Sequence, residues 1–105
     1  MNINITARHF KAHQTLIDEI KEKIESIKTY EVKVLHTDVI LSFEKATNSI
    51  KTAEIIMKIN DKSIMAKESS DDYSKSLDMA IEKIEAQLYK YADKHKTNKH
   101  HVKQV

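Results

Sequence analysis

The 105-residue sequence contains no cysteine, no glycine and no proline. The lack of cysteine excludes disulfides, thiolate nucleophiles and cysteine-ligated zinc or iron-sulfur sites, and it is compatible with a reducing compartment. The lack of glycine excludes the glycine-rich phosphate loops of the Walker and Rossmann kinds. Tight turns must therefore use asparagine, aspartate or serine, which are the next best residues at tolerating a left-handed backbone.

Long apolar runs are missing as well. No stretch approaches the roughly 18 apolar residues of a membrane span, and the N-terminus enters an alternating pattern instead of a secretory or transit segment. We therefore expect a soluble, cytoplasmic protein with no membrane partner. The length suits one domain, which we place at residues 1–95, followed by a basic, flexible tail at residues 96–105.

Acidic residues are scarce only at the C-terminal end of the chain. The whole sequence has 18 basic and 16 acidic side chains and a formal net charge of +2. Residues 86–105 hold five lysines and a single carboxylate, Asp93. Positive charge is therefore concentrated in this last segment.

The apolar residues that are present change their period along the N-terminal part of the chain. In NINIT, Ile3 and Ile5 alternate with polar residues, which predicts a strand with one buried face. A 3.6-residue period then predicts a helix over about residues 13–28. Its apolar face consists of Leu16, Ile17, Ile20, Ile24 and Ile27.

Alternation returns in the middle of the chain and predicts three strands in a meander. In VKVLHTDVILSFEK, Leu35 shares a face with Val39, Leu41 and Phe43, whereas Val34 lies in the opposite phase, which indicates a bulge near Leu35. The turns are predicted at residues 47–49 and 60–62. Further buried positions are predicted at Ala53, Ile55, Met57 and Ile59 in the next run, and at Ile64 and Ala66 in the last.

A second helix is predicted to begin near Asp71, in SSDDYSKSLD. Ser69 stands three residues before Asp72, which is the spacing of a capping box, and carboxylates are favourable at the positive end of the helix dipole. The apolar stripe of this helix consists of Leu77, Ala80, Ile81, Ile84, Leu88 and Tyr91. The element order predicts an α+β fold, a β-α-β-β-β-α two-layer sandwich in which a four-stranded sheet has two helices on one face.

A polar stripe of the second helix is rich in lysine. Its members are spaced by three or four residues, so the stripe can follow a phosphate backbone: Lys83, Gln87, Lys90 and Lys94, continued by Lys96, Lys99 and Lys103. Glu82 and Glu85 interrupt it, and on this pattern alone a solvated helix face is the better interpretation. Arg8 and Lys28 would extend the basic surface if the two helices lie side by side.

Other candidate chemistry is weak. His9 and His13 have a metal-compatible spacing, as has the pair His100-His101, but no third ligand is predictable, so we predict neither a metal nor a cofactor. No carboxylate falls at a recognisable apolar pocket, so we predict no enzyme activity. For all four tyrosines, we favour core or boundary packing over stacking on bases: Tyr30, Tyr73, Tyr89 and Tyr91.

Four segments, in order, carry a resemblance to a known family: NINITARHF, FEKATNS, AEIIMKINDKSIMAKESSDD and SLDMAIEKIEAQLYKY. Up to about residue 96, the chain resembles the bacterial ribosome hibernation promoting factors, also called ribosome-associated inhibitors. This resemblance implies a fold like that of double-stranded RNA-binding domains. The implied element order agrees with the one predicted from periodicity.

The resemblance also implies a function without catalysis. Members of the family bind the small ribosomal subunit at the decoding region, where mRNA and the A-site and P-site tRNAs lie, and keep idle ribosomes inactive in stationary phase or stress. The implied partner is ribosomal RNA, with no small-molecule substrate, and the protein is expected to be a monomer off the ribosome. Carried over by position, the rRNA-binding residues are Lys23, Lys83, Lys90, Lys94 and Lys96, to which spacing adds Arg8 and Lys28.

The chain departs from the family pattern at several positions. The family often has glycine at the position of Ala7 and Asn-Gly where Asn60-Asp61 stands, and it commonly has arginine at the position of Ala86 and lysine at that of Ala92. The last two differences remove positive charge, so they bear on affinity more than on fold.

The chain stops before the additional dimerisation domain of long family members, so it resembles the short forms. Its brief basic tail is similar to that of short forms that promote ribosome dimers, and differs from the longer acidic extension of those that oppose them. The alternative interpretation is a protein-protein interaction or regulatory module with no ribosome contact.

Overall fold

The computed structural model describes residues 1–44 and 50–104, with side chains up to residue 94 in the second stretch. The elements are β1 (Asn2–Ala7), α1 (Gln14–Glu25), β2 (Val34–Glu44), β3 (Ile50–Ile59), β4 (Ser63–Ser70) and α2 (Tyr73–Gln104). The predicted element order is confirmed. The turn predicted at residues 47–49 lies outside the described residues. Most of the tail at residues 96–105 belongs to α2, and the flexibility predicted for it stays a prediction.

The four strands form one mixed sheet in the order β1-β2-β3-β4. β1 pairs in parallel with β2, with Ile5 opposite Val39, because α1 returns the chain to the end of the sheet at which β1 begins. The pairs β2-β3 and β3-β4 are antiparallel, which confirms the meander. The hairpin between β3 and β4 closes through a hydrogen bond of 2.9 Å from Ile59 N–H to Lys62 C=O.

One apolar core joins a single face of the sheet to both helices, so the helices lie on the same side. From the sheet it takes Val39, Leu41, Ala53, Ile55, Met57, Ile59, Ile64 and Ala66, from α1 and its end Ile20, Ile24 and Ile27, and from α2 Leu77, Ala80, Ile84 and Leu88. These are the faces predicted from periodicity, and burying one such branched aliphatic side chain contributes about 1.5–3 kcal/mol. The result is the predicted two-layer sandwich.

β2 contains the predicted irregularity, but its effect on Leu35 differs from the expectation. The register shifts between Val34 and His36, so Val34 pairs with the buried Ile59 and packs against the core. Leu35 is 42% exposed. Because the bulge adds one residue, it reverses the alternation, and the prediction that Leu35 lies on the buried face is wrong.

The start of α2 also differs from the prediction. Asp72 caps the helix, since its carboxylate accepts a hydrogen bond of 3.1 Å from Lys75 N–H. Ser69 is still part of β4, where its hydroxyl shares a hydrogen bond of 2.7 Å with that of Thr52. The predicted capping box at Ser69 is therefore wrong, because continued strand pairing takes Ser69 and the helix begins two residues later than Asp71.

Left-handed backbone occurs at unexpected residue types. Within the described parts of the chain, the positive φ angles belong to His9 (68°), Tyr30 (55°) and Glu31 (66°). The expectation that asparagine, aspartate or serine would take these positions is therefore wrong. Each such residue costs about 1–2 kcal/mol locally. At Tyr30 the ring is packed against the core, and this long-range contact outweighs the local preference.

Over the same described parts, none of the helices combines the length and the apolar composition required to cross a membrane.

Candidate nucleic-acid interface

α1 and α2 lie side by side and run in the same direction. Lys23 of α1 contacts Asp78 near the start of α2, and Tyr30, beyond the end of α1, contacts Tyr89 further along α2. The contacts therefore advance along both segments together. We call this line of contact the helix seam.

Lys23 links α1 to α2 across the helix seam through an ion pair with Asp78. Its Nζ lies 2.7 Å from Asp78 Oδ1 and 2.9 Å from Glu19 Oε2, and its side chain is 29% exposed. Partial burial alone would lower the pKa of Lys23, but the hydrogen bonds with both carboxylates outweigh it and raise the pKa above the ordinary 10.5. The hydrogen bond from Lys23 is also the main reason why the pKa of Glu19 is lowered from 4.5. This predicted RNA-binding lysine is thus occupied within the molecule.

Lys28 follows α1 and remains at the surface. Its Nζ lies 5.1 Å from the centroid of the Tyr30 ring, which is a cation–π contact. Its backbone N–H donates to Glu85 Oε2 at 2.9 Å, so that carboxylate helps to fix the turn that follows α1. The ammonium group of Lys28 is accessible to a phosphate.

The lysine stripe of α2 divides into two halves. In the first half, Lys83 forms an ion pair with Glu68 of β4, and Gln87 Nε2 donates to Met65 C=O of the same strand at 2.7 Å. These two side chains therefore bind the neighbouring strand. In the second half, Lys90 and Lys94 lie beside the turn that precedes β4, with Lys62 and the first residues of that strand.

Lys90 and Lys94 line an open pocket of about 350 Å³, together with Lys62 of the β3-β4 turn. We call this the basic pocket. Tyr91 forms part of its wall: its hydroxyl donates to Asp61 Oδ1 at 2.9 Å, and Lys62 Nζ lies 5.8 Å from its ring centroid. The hydrogen bond to Asp61 raises the pKa of Tyr91. Three lysines and one carboxylate line the pocket, which leaves an excess of positive charge there, so the pocket suits a phosphate.

The remaining predicted residues are not brought to the basic pocket. Arg8 follows β1 beside Leu41, where Phe10 stacks on Tyr73 at the start of α2, so Arg8 lies at the opposite end of the molecule. The side chain of Lys96 lies outside the described residues. Sequence reasoning missed Lys62, because the only signal was a lysine in a predicted turn, and the turn meets α2 only in the folded chain.

The tyrosines were predicted to pack in the core or at its boundary, and the histidines were not predicted to bind a metal. Packing is confirmed for Tyr73, which stacks on Phe10 at 5.3 Å. Tyr89 does not enter the core, since it is 53% exposed, but it packs at the boundary, where its ring contacts Tyr30. His9 and His13 precede α1 and do not share a helix face. Among the side chains that the structure describes, no three histidines or carboxylates are grouped as metal ligands.

Known proteins share both the sequence and the fold. The chain is 26% identical to a ribosome hibernation promoting factor of Pseudomonas putida over 90% of this chain and 89% of that protein. It is 27% identical to a protein of the same name from Escherichia coli K12, over 90% of this chain and 96% of that protein. Each similarity extends over nearly the whole of both proteins.

Two solved structures are similar in fold. A ribosomal subunit interface protein from Coxiella burnetii superposes with a TM-score of 0.79 at 25% identity, covering 87% of this chain and 97% of that one. The N-terminal domain of Thermus thermophilus Protein Y gives a TM-score of 0.75 at 20% identity, covering 87% and 99%. Residues 3–96 match the family described as Sigma 54 modulation protein / S30EA ribosomal protein. The sequence match over most of the domain and the shared sandwich lead to one conclusion: the chain belongs to the Sigma 54 modulation protein / S30EA ribosomal protein family.

Proposed function

We propose that this chain is a ribosome hibernation factor, which binds the small ribosomal subunit at the decoding region and blocks mRNA and tRNA there. Membership of the family and the names of its relatives support the general role. Binding at the decoding region is more specific than those names, and we add it as our own proposal. We further propose a cytoplasmic location, a translational rather than an enzymatic role, and action in stationary phase or stress.

The basic pocket is the observation that carries the RNA contact. Lys62, Lys90 and Lys94 converge there, and Lys28 lies on the same end of the helix seam as Tyr89. Each neutralised phosphate releases counterions and contributes about −0.9 to the slope of log affinity against log salt for a duplex, or about −0.7 for a single strand. Four contacts therefore predict a slope of about −3 to −4.

Such a protein inhibits translation simply by occupying the site where mRNA and tRNA bind. A folded body that fills the path of mRNA and tRNA excludes both ligands sterically, and its lysines replace counterions on the ribosomal RNA. The predicted contact Lys96 would extend this surface along α2, whereas Arg8, at the opposite end of the molecule, would make a separate contact with the ribosomal RNA. Residues 96–105 carry three lysines and no carboxylate, and this basic composition supports a further proposal, that the chain promotes ribosome dimers rather than opposing them.

Co-sedimentation with purified ribosomal subunits tests the proposal. We expect the full chain to pellet with the small subunit alone, at low salt and much less at high salt. Lys90→Gln combined with Lys94→Gln should reduce the salt slope by about 1.4–1.8, because two phosphate contacts are lost. The matched control is Lys67→Gln, since Lys67 is an exposed lysine of β4.

Two results would contradict the proposal. Absence from both pellets at low salt would favour the protein-protein interaction module instead. Binding that is equally strong in the double variant, with an unchanged salt slope, would show that the basic pocket does not contact phosphates.

A further inference from the structure

Tyr89 is an aromatic side chain that the fold leaves in solvent. It is 53% exposed on α2, next to Lys90 in the sequence. Its ring meets Tyr30 at a centroid distance of 5.2 Å and an interplanar angle of 70°. In either version of this edge-to-face contact, at least one face of the Tyr89 ring is left uncovered by Tyr30.

The surroundings of Tyr89 keep that face accessible. Ala86 and Ala92, three residues away on either side along the helix, end at Cβ and cannot cover the ring. Tyr30 is fixed on the other side, because it packs against the core and the ammonium group of Lys28 lies 5.1 Å from its centroid. We call the pair Tyr30 and Tyr89 the tyrosine platform.

The charges around the tyrosine platform are mixed. Lys28 and Lys90 are opposed by Glu85, which accepts from the Lys28 amide, and by Asp93, one helical turn beyond Tyr89. Together the four charges sum to zero, so Lys28 and Lys90 can each contact a phosphate, but the platform as a whole has no excess of positive charge. Its open aromatic face therefore suits an uncharged base, and the basic pocket, which shares Lys90, offers the phosphate contact nearby.

We propose that the tyrosine platform binds one unpaired RNA base, stacked on the open face of Tyr89, while the adjoining phosphate contacts Lys90. This inference rests on the proposed binding to ribosomal RNA and adds to it the kind of nucleotide that is recognised. Single-stranded bases splay out readily and stack on tyrosine rings. Such stacking changes affinity by about 5-fold to 150-fold per base.

The test compares three variants of the full chain in binding to the small subunit. Tyr89→Leu keeps an apolar side chain with good helix propensity but removes the ring, and we expect a loss of at least about fivefold. Tyr89→Phe keeps the ring and should bind like the original chain. Met65→Ala is the matched control, because Met65 is 54% exposed but belongs to β4, and it should have no effect.

The salt slope and an abasic probe separate stacking from charge. Stacking releases no counterions, so the salt slope of Tyr89→Leu should equal that of the original chain, unlike that of the lysine variants. With short unstructured RNA as probe, abasic positions should weaken binding of the original chain. The same abasic positions should make no difference to Tyr89→Leu.

The outcomes distinguish this inference from the proposed function. If the original chain does not bind the small subunit, both fail together. If it binds with the expected salt slope and Tyr89→Leu binds equally well, the tyrosine platform is refuted and the proposed function stands. If Tyr89→Leu weakens binding to the subunit but not to any unstructured RNA, with or without bases, the platform contacts a protein, and the assignment to a base is overturned.

Discussion

Replacing Lys23 by methionine should weaken the fold and leave the affinity for the small subunit nearly unchanged. The ammonium group joins α1 to α2 through the ion pair of 2.7 Å with Asp78, and it forms a second pair of 2.9 Å with Glu19 of its own helix. The side chains of the three partners are 29–60% exposed, so solvent screens each pair, and one such pair contributes about 0.2–1 kcal/mol. Losing both should lower the free energy of unfolding by about 1 kcal/mol and Tm by about 4–8 °C.

The effect of Lys23→Met should depend on pH in a defined direction. The lowered pKa of Glu19 gives stability that is present above its ordinary value of 4.5 and is lost as the pH falls through the folded-state value. The raised pKa of Lys23 gives stability that is present below 10.5 and is lost as the pH rises through its folded-state value. The variant should therefore differ most from the original chain between about pH 5 and pH 10, and less in acid.

Urea unfolding followed by circular dichroism, at neutral and acidic pH, measures this difference. A double-mutant cycle with Asp78→Asn isolates the pair across the helix seam, and Lys21→Met, at an exposed lysine of the same helix, is the control. The reasoning is refuted if Lys23→Met has unchanged stability but a smaller salt slope in ribosome binding. In that case Lys23 contacts a phosphate, as its position in the family implies.

Two further predictions concern the fold. Ser76→Ala should lower the free energy of unfolding by about 1–3 kcal/mol in urea titrations, because the buried hydroxyl donates to Lys51 C=O at 2.7 Å, and unchanged stability would contradict this role. Leu35→Gln should change it by less than about 0.5 kcal/mol, whereas Val34→Gln should be clearly destabilising, and the reverse order of the two would contradict the bulge.

Much of the fold could be predicted because buried apolar residues recur at regular intervals along each helix and strand. In β3, the alternation of Ala53, Ile55, Met57 and Ile59 leaves one choice of buried face, and the structure buries all four. The same reasoning placed a bulge in β2 but assigned Leu35 to the wrong side. A pattern shows that the phase changes, but the extra residue is identified only by the pairing of Val34 with Ile59.

The candidate interface was less predictable, because the role of a lysine depends on partners that are distant in sequence. Lys23 and Asp78 are 55 positions apart, and nothing near either residue indicates that they meet. Lys83 is equivalent to Lys90 in its spacing along the helix, yet β4 provides Glu68 as a partner to the first, whereas the second lies beside the turn that precedes β4. Local spacing predicts which side chains share a stripe, and tertiary contacts decide which ones stay available.

The side chains that bind β4 have a consequence for self-association. An edge strand presents backbone groups to which a strand of another molecule can add, and stacking of such edges leads to aggregation. Gln87 donates to the backbone of Met65 and Lys83 forms an ion pair with Glu68, so polar side chains of α2 cover part of β4 at this edge of the sheet. Because one backbone acceptor of this edge is already used and an ion pair lies beside it, addition of a strand from a second copy of the chain is disfavoured, which lowers the tendency to aggregate at high protein concentration.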